Sequence, residues 1–386
     1  MIARRLTQCV IVGVVLGGSS VAALADVGLR IVTFNTYQGI ANAPADRAAA
    51  GNLLTSIDFD GAGPYTSLMP DIVCLQETVS QQELDAFRDD YLPGYTAIHG
   101  PTTDGFYSNG YFFRGDLTQL HFREFGTPGP RPLLRLVLDV PGSPEHLVVY
   151  NAHLKAGQTE SDLFIRRQEA NAIANRIAVD RAYGIDVDEN GVADFLPRYY
   201  FCAGDFNQDD FSDDVIDALL EGGSNGLPTA LNDLRVETIF GAQVGEFYGN
   251  TWSTRGSLSR RYDYLLASDE LFAQFDSSGD GFVDQDELNA AGFVYISYDD
   301  AGRQASGQVN ATSVASDHAP VVVDFVLPGL VGDLDGDEDV DLADLSILLA
   351  HYGMTGGAAP EDGDLDGDGD VDLADLSVLL AAYGTR

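Results

Sequence analysis

The chain is 386 residues long, which fits a large domain with an accessory module better than one small domain. Its hydrophobic fraction of 45% is ordinary for a globular protein and argues against bulk disorder. The formal net charge of −39 comes from 60 acidic and 21 basic residues. Such a surface repels polyanions in general, so a nucleic-acid substrate would need a local basic patch or screening cations. We interpret the acidity first as a solubility or salt-adaptation trait and second as a calcium-binding trait.

The N-terminus has the pattern of a secretory signal peptide. Arg4 and Arg5 precede a short apolar run, and Ala23-Leu24-Ala25 follows as a small-residue cleavage site. The run is too short to span a membrane, and no later apolar segment is long enough to anchor the chain. The pattern therefore predicts a signal peptide over residues 1–25 and a secreted, extracellular protein without a membrane span. The alternative is a buried N-terminal helix.

Two cysteines remain after the predicted signal peptide. Cys74 and Cys202 both lie in apolar, strand-like segments, where a free cysteine behaves as a small core residue. A disulfide between them is allowed in an exported protein, and the sequence leaves that pairing open.

Short strand-like and helical segments alternate from Asp26 to about Leu327. Segments rich in Val, Ile, Tyr and Phe predict strands: RIVTFNTY, DIVCLQET, GYFFR, HLVVYNAHL, YYFCAGDF, RYDYLLAS and APVVVDFVL. The segments SQQELDAFRDDYL and SDLFIRRQEANAIANRIAVDRA predict helices, each opening with a serine at the capping position. The mixture predicts a layered α/β architecture.

Several of these strands end in a side chain suited to metal-assisted hydrolysis. The set is Asn35, Glu77, His153, Asp205, Asn207, Asp263, Asp317 and His318. Carboxylate and amide oxygens suit a hard divalent cation, and the histidines suit proton transfer. An aspartate after a strand is by itself usually a turn residue, and the hypothesis depends on the set as a whole.

The ordered motifs TFN, LQE, NAHL, GDFN, TW, RYDY and SDH make the chain resemble the endonuclease/exonuclease/phosphatase superfamily, also called deoxyribonuclease-like. The resemblance covers roughly residues 29 to 327. It implies a four-layer α/β sandwich, with two packed β-sheets flanked by helices and the site at one end.

The resemblance also implies a cation site. Glu77 would be the principal ligand of Mg²⁺ or Mn²⁺, with Asn35 and Asp317 close by. One departure from the family pattern is Tyr37, since many nuclease members have a carboxylate two residues after the first-strand asparagine.

The remaining roles are implied in the same way. Asp205 and Asn207 would orient and polarise the attacking water or the phosphate. His318, oriented by Asp263, would stabilise the transition state or transfer a proton, and His153 would hydrogen-bond a phosphate oxygen or assist the leaving group.

Four basic residues are candidate phosphate contacts: Lys155, Arg166, Arg260 and Arg261. For each of them a solvated surface position is an equal alternative.

Two C-terminal segments, starting at Gly332 and Gly363, repeat each other with an offset of 31 residues. Each has oxygen ligands at positions 1, 3, 5, 9 and 12 of a loop, followed by an apolar helix: Asp333, Asp335, Asp337, Asp341 and Asp344, then Asp364, Asp366, Asp368, Asp372 and Asp375. This spacing matches a Ca²⁺ shell. The pair resembles the duplicated loop-helix of type I dockerins, which implies a small all-α calcium-binding module with a cohesin-like protein partner, although Glu338 replaces the usual glycine. The alternative is an acidic disordered tail.

An EF-hand-like loop is also expected inside the large domain, as a structural insertion. Its ligands would be Asp276, Ser278, Asp280, Asp284 and Glu287. A weaker match begins at Asp186, where Pro197 occupies position 12.

These patterns predict three parts: a signal peptide (1–25), an endonuclease/exonuclease/phosphatase domain (26–327, with the insertion 276–287) and dockerin-like repeats (328–386). The predicted function is a secreted metal-dependent phosphoesterase, first an extracellular nuclease and otherwise a sphingomyelinase-like or inositol or sugar phosphate phosphoesterase. The alternatives from other classes are a non-catalytic extracellular binding component and a glycan-degrading enzyme, although no glycosidase pair of carboxylates is identifiable.

Overall fold

The computed structural model describes residues 26–40, 44–55, 69–101, 107–208, 214–240, 260–296, 316–337 and 339–385. The predicted signal peptide, the Thr251-Trp252 pair and Glu338 lie outside these residues. The chain divides into two compact units: the larger lies within residues 27–275 and 283–327, and the smaller comprises, of the described residues, 26, 276–282, 328–337 and 339–385. None of the helices described has both the length and the apolar character that crossing a membrane requires.

The larger unit contains two mixed β-sheets. The strands of the first sheet are β1 (Val27–Asn35), β2 (Ile72–Thr78), β3 (Tyr95–His99), β4 (Ser108–Arg114), β10 (Thr238–Phe240), β12 (Gly292–Ile296) and β13 (Val321–Leu327). The strands of the second sheet are β5 (Thr118–Phe125), β6 (Leu133–Asp139), β7 (Leu147–His153), β8 (Tyr199–Asp205), β9 (Leu231–Asp233) and β11 (Asp263–Ser268). The strand orders are β10-β12-β13-β1-β2-β4-β3 and β5-β6-β7-β8-β11-β9. Within them β1 is parallel to β2 and β7 to β8, so each sheet has a central parallel pair.

The helices connect and cover these strands. They are α1 (Pro44–Thr55), α2 (Gln81–Tyr91), α3 (Glu160–Tyr183), α4 (Asp214–Glu221), α5 (Asp269–Ala273), α6 (Gln285–Ala291), α7 (Leu342–His351) and α8 (Leu373–Ala382). The predicted serine cap of α2 is confirmed, because the Ser80 side chain accepts the Glu83 amide. The predicted serine cap of α3 is wrong. Thr159 caps that helix in a reciprocal pair with Asp162, and Ser161 lies inside the first turn.

Three apolar layers hold the larger unit together. One lies between the sheets and includes Ile31 of β1 and Val149 of β7. A second packs α1 and α2 on the first sheet, with Phe87 fully buried. A third packs α3 and α4 on the second sheet around Ile173 and Leu219. The predicted architecture is therefore confirmed as two packed sheets flanked by helices.

The layer between the sheets changes from apolar to polar toward one end. Because strand side chains alternate with a period of two, the residues two positions beyond a core residue face the same interior. On β2, Cys74 is followed in this way by Gln76, and on β8 Ala203 is followed by Asp205. The site is the polar end of the core between the sheets.

Within the smaller unit, residues 328–385 form two loops, each followed by a helix. Its core contains Val340 and Leu348 from the first repeat and Val371 and Leu379 from the second. Backbone hydrogen bonds cross between the repeats: Gly384 donates to Val340, and Gly353 donates to Val371.

Candidate active site

The two sheets are linked by hydrogen bonds from the end of β1. Asn35 is 1% exposed, and its Nδ2 donates to Asp205 Oδ2 at 2.8 Å and to Glu77 Oε1 at 3.4 Å. Asn35 and Glu77 lie on parallel neighbouring strands, whereas Asp205 belongs to the other sheet. The predicted residues from three distant segments therefore meet at one place.

Glu77 lies where β2 departs from regular pairing. The register with β4 shifts between Leu75 and Thr78, and Glu77 has a φ of +61°, which is uncommon for a residue with a side chain. Its Oε2 accepts the Gln38 amide at 2.8 Å. The bulge turns this carboxylate toward Asn35, and backbone strain of this kind is frequent at functional sites.

Tyr37 occupies the position where the family pattern has a carboxylate. Its backbone amide donates to Asn35 Oδ1 at 3.0 Å, and its side chain is 51% exposed. The aromatic ring is therefore at the surface beside the site rather than within the ligand set.

His153 and Asp205 are paired across the parallel strands β7 and β8. His153 Nε2 lies 3.6 Å from Asp205 Oδ2 and 4.0 Å from Glu77 Oε1. Burial lowers the pKa of His153 well below its ordinary value, and the charges of Arg131 and His318 lower it further. The imidazole is therefore neutral at pH 7. Its buried Nδ1 has no hydrogen-bond partner among the described residues.

Asp205 is the central carboxylate. Burial raises its pKa to about 7, with His318 lowering it and Asp263 raising it. Its Oδ1 accepts the Asn207 amide at 2.7 Å, which is possible because Asn207 adopts a left-handed φ of +51°. The Asn207 side chain donates to Leu154 O at 3.1 Å.

His318 is held on two sides. Its Nδ1 lies 2.7 Å from Asp263 Oδ2, and its Nε2 lies 3.7 Å from Asp205 Oδ2 and 3.7 Å from Asp317 Oδ1. A carboxylate only accepts, so the ring donates from Nδ1 to Asp263. Ser316 fixes the backbone, because its hydroxyl donates to Asn35 O and accepts the His318 amide.

The donor set fits a hard divalent cation. Ligand atoms of Asp205, Asp263 and His318 lie within 4.8 Å of one another. Glu77 and Asp317 are more open, with side-chain exposures of 19% and 39%. Carboxylate and amide oxygens at a partly open position suit Mg²⁺ or Mn²⁺, which keep water in their coordination shell. Glu77, Asn35 and Asp317 are the residues that would hold such an ion.

A buried polar layer beneath the site was not predicted. Gln76 Nε2 donates to Asn151 Oδ1 at 2.9 Å and to Thr33 Oγ1 at 3.1 Å, and Asn151 Nδ2 donates to Leu75 O at 3.0 Å. These side chains are fully buried. Side chains two positions apart on a strand face the same way, so counting from Cys74 to Gln76 and from Val149 to Asn151 would have predicted these two buried residues.

The four candidate phosphate contacts are in different surroundings. Arg261 is buried and paired with Asp233 at 2.5 Å, so its solvated-surface alternative is wrong. Arg166 is also buried, at 1% exposure. Arg260 is exposed and donates to Tyr262 Oη at 2.7 Å, while the Lys155 ammonium pairs with Asp162 at 2.9 Å.

The acidic loops of the smaller unit bring carboxylates together. In the first loop Asp333, Asp335 and Asp344 have ligand atoms within 4.8 Å, and in the second Asp364, Asp366 and Asp375 do. The last aspartate of each set is fully buried and accepts backbone amides, as Asp344 does from Leu334 at 2.6 Å. Each loop ends in a capping box, with Asp341 and Asp372 as the caps of α7 and α8.

The two loops of the large domain are also closed by their own side chains. Asp276 accepts amides from Gly279 and Gly281, and Asp284 caps α6 in a reciprocal pair with Glu287. In the weaker match, Asp186, Asp188 and Asp194 have ligand atoms within 4.8 Å.

Cys74 and Cys202 are both free and buried.

Comparison with known proteins gives one family match. The sequence model described as "Endonuclease/Exonuclease/phosphatase family" matches residues 32–318. No match is found among the curated proteins.

Solved structures with similarity to the chain have low sequence identity. Humanized D. rerio TDP2 is 17% identical, with 77% of this chain and 98% of that chain covered and a TM-score of 0.45. The human Nocturnin catalytic domain is 15% identical, with 78% and 96% covered and a TM-score of 0.45. Mannosyl-6-phosphatase from Bacteroides thetaiotaomicron is 17% identical, with 78% and 100% covered and a TM-score of 0.45.

Proposed function

The chain belongs to the endonuclease/exonuclease/phosphatase family, and we propose that it is a metal-dependent hydrolase of phosphoester bonds. The observation that supports this most is the continuous line of contacts from Asp263 through His318 to Asp205. That line meets Asn35 from the opposite sheet, and because Asn35 donates to both Asp205 and Glu77, the acid-base pair lies directly beside the candidate cation site.

The proposed reaction is direct attack of water on phosphorus, in which one P–O bond forms, the ester P–O bond breaks and the leaving oxygen gains a proton. A divalent cation bound by Glu77 would neutralise charge on the phosphate oxygens. Asp205 and Asn207 orient the water. Both are held in place, because the Asn207 amide donates to Asp205 Oδ1 and the Asn207 side chain donates to Leu154 O. His318, oriented by Asp263, stabilises the charge that develops on the phosphoryl group. His153 is neutral and hydrogen-bonds the phosphate or the leaving group.

The substrate that we propose first is extracellular nucleic acid. The net charge of −39 is unfavourable for a polyanion, so such a substrate needs screening by a bound divalent cation or by an arginine near the site. Arg131 acts electrostatically on His153, whereas Arg166 is buried and donates to backbone carbonyl groups. We propose nucleic acid first because it is an abundant source of phosphate outside cells, and Arg131 with a bound divalent cation would screen its charge.

The test is hydrolysis by the purified chain lacking residues 1–25. Plasmid DNA, RNA, bis-(p-nitrophenyl) phosphate, sphingomyelin vesicles, and inositol and sugar phosphates are each incubated with Mg²⁺ or Mn²⁺, beside a His318→Ala variant and a folded control, Asp324→Asn. Metal-dependent nicking of plasmid DNA that is lost in His318→Ala and kept in Asp324→Asn supports a nuclease function. Cleavage of only sphingomyelin vesicles, or of inositol or sugar phosphates, keeps the chemistry and replaces the substrate. No hydrolysis at all would favour a non-catalytic binding component.

For the smaller unit we propose a dockerin-like role, with Ca²⁺ as the structural ion and a cohesin-like protein as partner. The support is the repeated ligand spacing and the clustering of Asp333, Asp335 and Asp344. We also propose that residues 1–25 direct export. Calorimetric titration with Ca²⁺ of the full chain and of an Asp344→Asn, Asp375→Asn double variant tests the ion. Equal binding by both proteins would contradict it.

A further inference from the structure

The segment between β7 and α3, residues 154–159, directly follows His153. Its first residue, Leu154, donates its amide to Asp205 O at 2.9 Å and accepts the Asn207 side chain at 3.1 Å. This short piece of backbone therefore joins three of the residues to which the proposed function assigns chemistry.

The next residue, Lys155, is bracketed by two buried side chains of α3, one at its backbone N–H and one at its C=O. Glu169 Oε2 accepts the Lys155 amide at 2.7 Å. Arg166 Nη1 donates to Lys155 O at 2.7 Å and to Gly157 O at 2.6 Å. A guanidinium group is a planar and rigid donor, so two carbonyl groups on one nitrogen fix the local path of the chain.

The bracket leaves little room for alternative arrangements. Arg166 and Glu169 are each 1% exposed. A Cβ atom on Gly129 would lie 1.6 Å from Glu169 Oε1, so only glycine allows the neighbouring loop to approach this closely. Burying a guanidinium group and an ionisable carboxyl group carries a desolvation penalty, and apolar residues of similar size would avoid it. Their presence is therefore better explained by positioning than by stability.

We propose that Arg166 and Glu169 are positioning residues for catalysis: by fixing the backbone N–H and C=O of Lys155, they hold His153 and Asn207 in register with Asp205. Neither residue reacts with the substrate. The inference depends on the proposed hydrolytic function, and it gives a positioning role to side chains that are remote from the reacting atoms. A displacement of the reacting groups by about 1 Å is enough to reduce turnover on the order of 100-fold.

The experiment compares Arg166→Met and Glu169→Met, which remove the bracket, with Arg166→Lys and Glu169→Gln. Glu169→Gln keeps an acceptor for the Lys155 amide, and Arg166→Lys guards against a methionine variant that fails to fold. Arg135→Met is the matched control, because Arg135 is equally buried and binds Asp180 of the same helix at 2.8 Å. Turnover and KM are measured with bis-(p-nitrophenyl) phosphate at a temperature where every variant is folded. Hydrogen exchange of peptides covering residues 152–160 is measured on the same proteins.

The expected result is a roughly 10- to 100-fold lower kcat with KM within about threefold for the methionine variants. Faster exchange at residues 155–157 should accompany it, with Glu169→Gln close to the wild type and Arg135→Met unchanged in both. Faster exchange with unchanged kcat would overturn the catalytic role, and unchanged exchange would overturn the bracket itself. An inactive wild-type protein would instead contradict the proposed function, while the exchange data would still decide whether the bracket exists.

Discussion

The Asp263–His318 pair leads to a prediction whose magnitude follows from its geometry. Asp263→Asn keeps the shape of the side chain and removes its charge, at a position that is fully buried and 2.7 Å from His318 Nδ1. A hydrogen bond to a charged group contributes about 1.5 to 3 kcal/mol. If that bond acts fully in the transition state, its loss lowers kcat about 10- to 150-fold, since about 1.4 kcal/mol corresponds to a factor of 10. An amide that donates to Nδ1 would select the wrong tautomer and deepen the loss.

The assay is steady-state hydrolysis of bis-(p-nitrophenyl) phosphate with Mg²⁺ or Mn²⁺. The matched control is Asp324→Asn, which also removes a charge-assisted bond, here to Arg30 at 2.7 Å, but near the other end of β1. We expect Asp324→Asn to keep wild-type kcat. A folded Asp263→Asn protein with kcat within twofold of the wild type would refute the reasoning. Equal losses in both variants would show that the effect is global.

Three further predictions concern stability and metal dependence. Burial raises the pKa of Glu169 from 4.5 to about 7, so its stabilising contribution is full below pH 4.5 and is lost as pH rises through 7. Relative to Glu169→Gln, wild-type unfolding free energy in urea should fall by about 3 kcal/mol between pH 4.5 and 8, and parallel curves would contradict this. Gly204→Ala would place a Cβ atom 1.8 Å from Ala152 O, and it should lower the free energy of unfolding by more than about 3 kcal/mol. A Tm of the variant within roughly 2 °C of the wild type would contradict this prediction. Chelation with EDTA should abolish hydrolysis and Mg²⁺ should restore it, whereas full activity in EDTA would exclude the proposed cation.

Local patterns in the sequence were enough to locate the main strands and most of the polar residues at their ends. Strands such as β2 and β8 are apolar runs buried on both faces, and that composition is distinctive within a few residues. Strands β3, β5, β6, β9, β10 and β12 were missed. For β5 the reason is that TQLHFREF is mostly polar and lies at the edge of its sheet, where burial does not constrain composition. Strand β6, LLRLVLD, is buried and apolar, so the same rule that located β2 would have predicted it. The cap of α3 was misplaced by two residues, since Thr159 and Ser161 are both acceptable caps and only the backbone geometry selects one.

The sequence by itself determined which side chains stand at strand ends, because strand periodicity and polarity are properties of neighbouring residues. Only the tertiary structure decided which of them meet: Asn35 bonds Asp205 across 170 positions, between two different sheets. The same holds for the bulge that turns Glu77 and for the burial of Arg166 and Glu169. Their conformation and exposure depend on elements far away in the chain, and no local pattern carries that information.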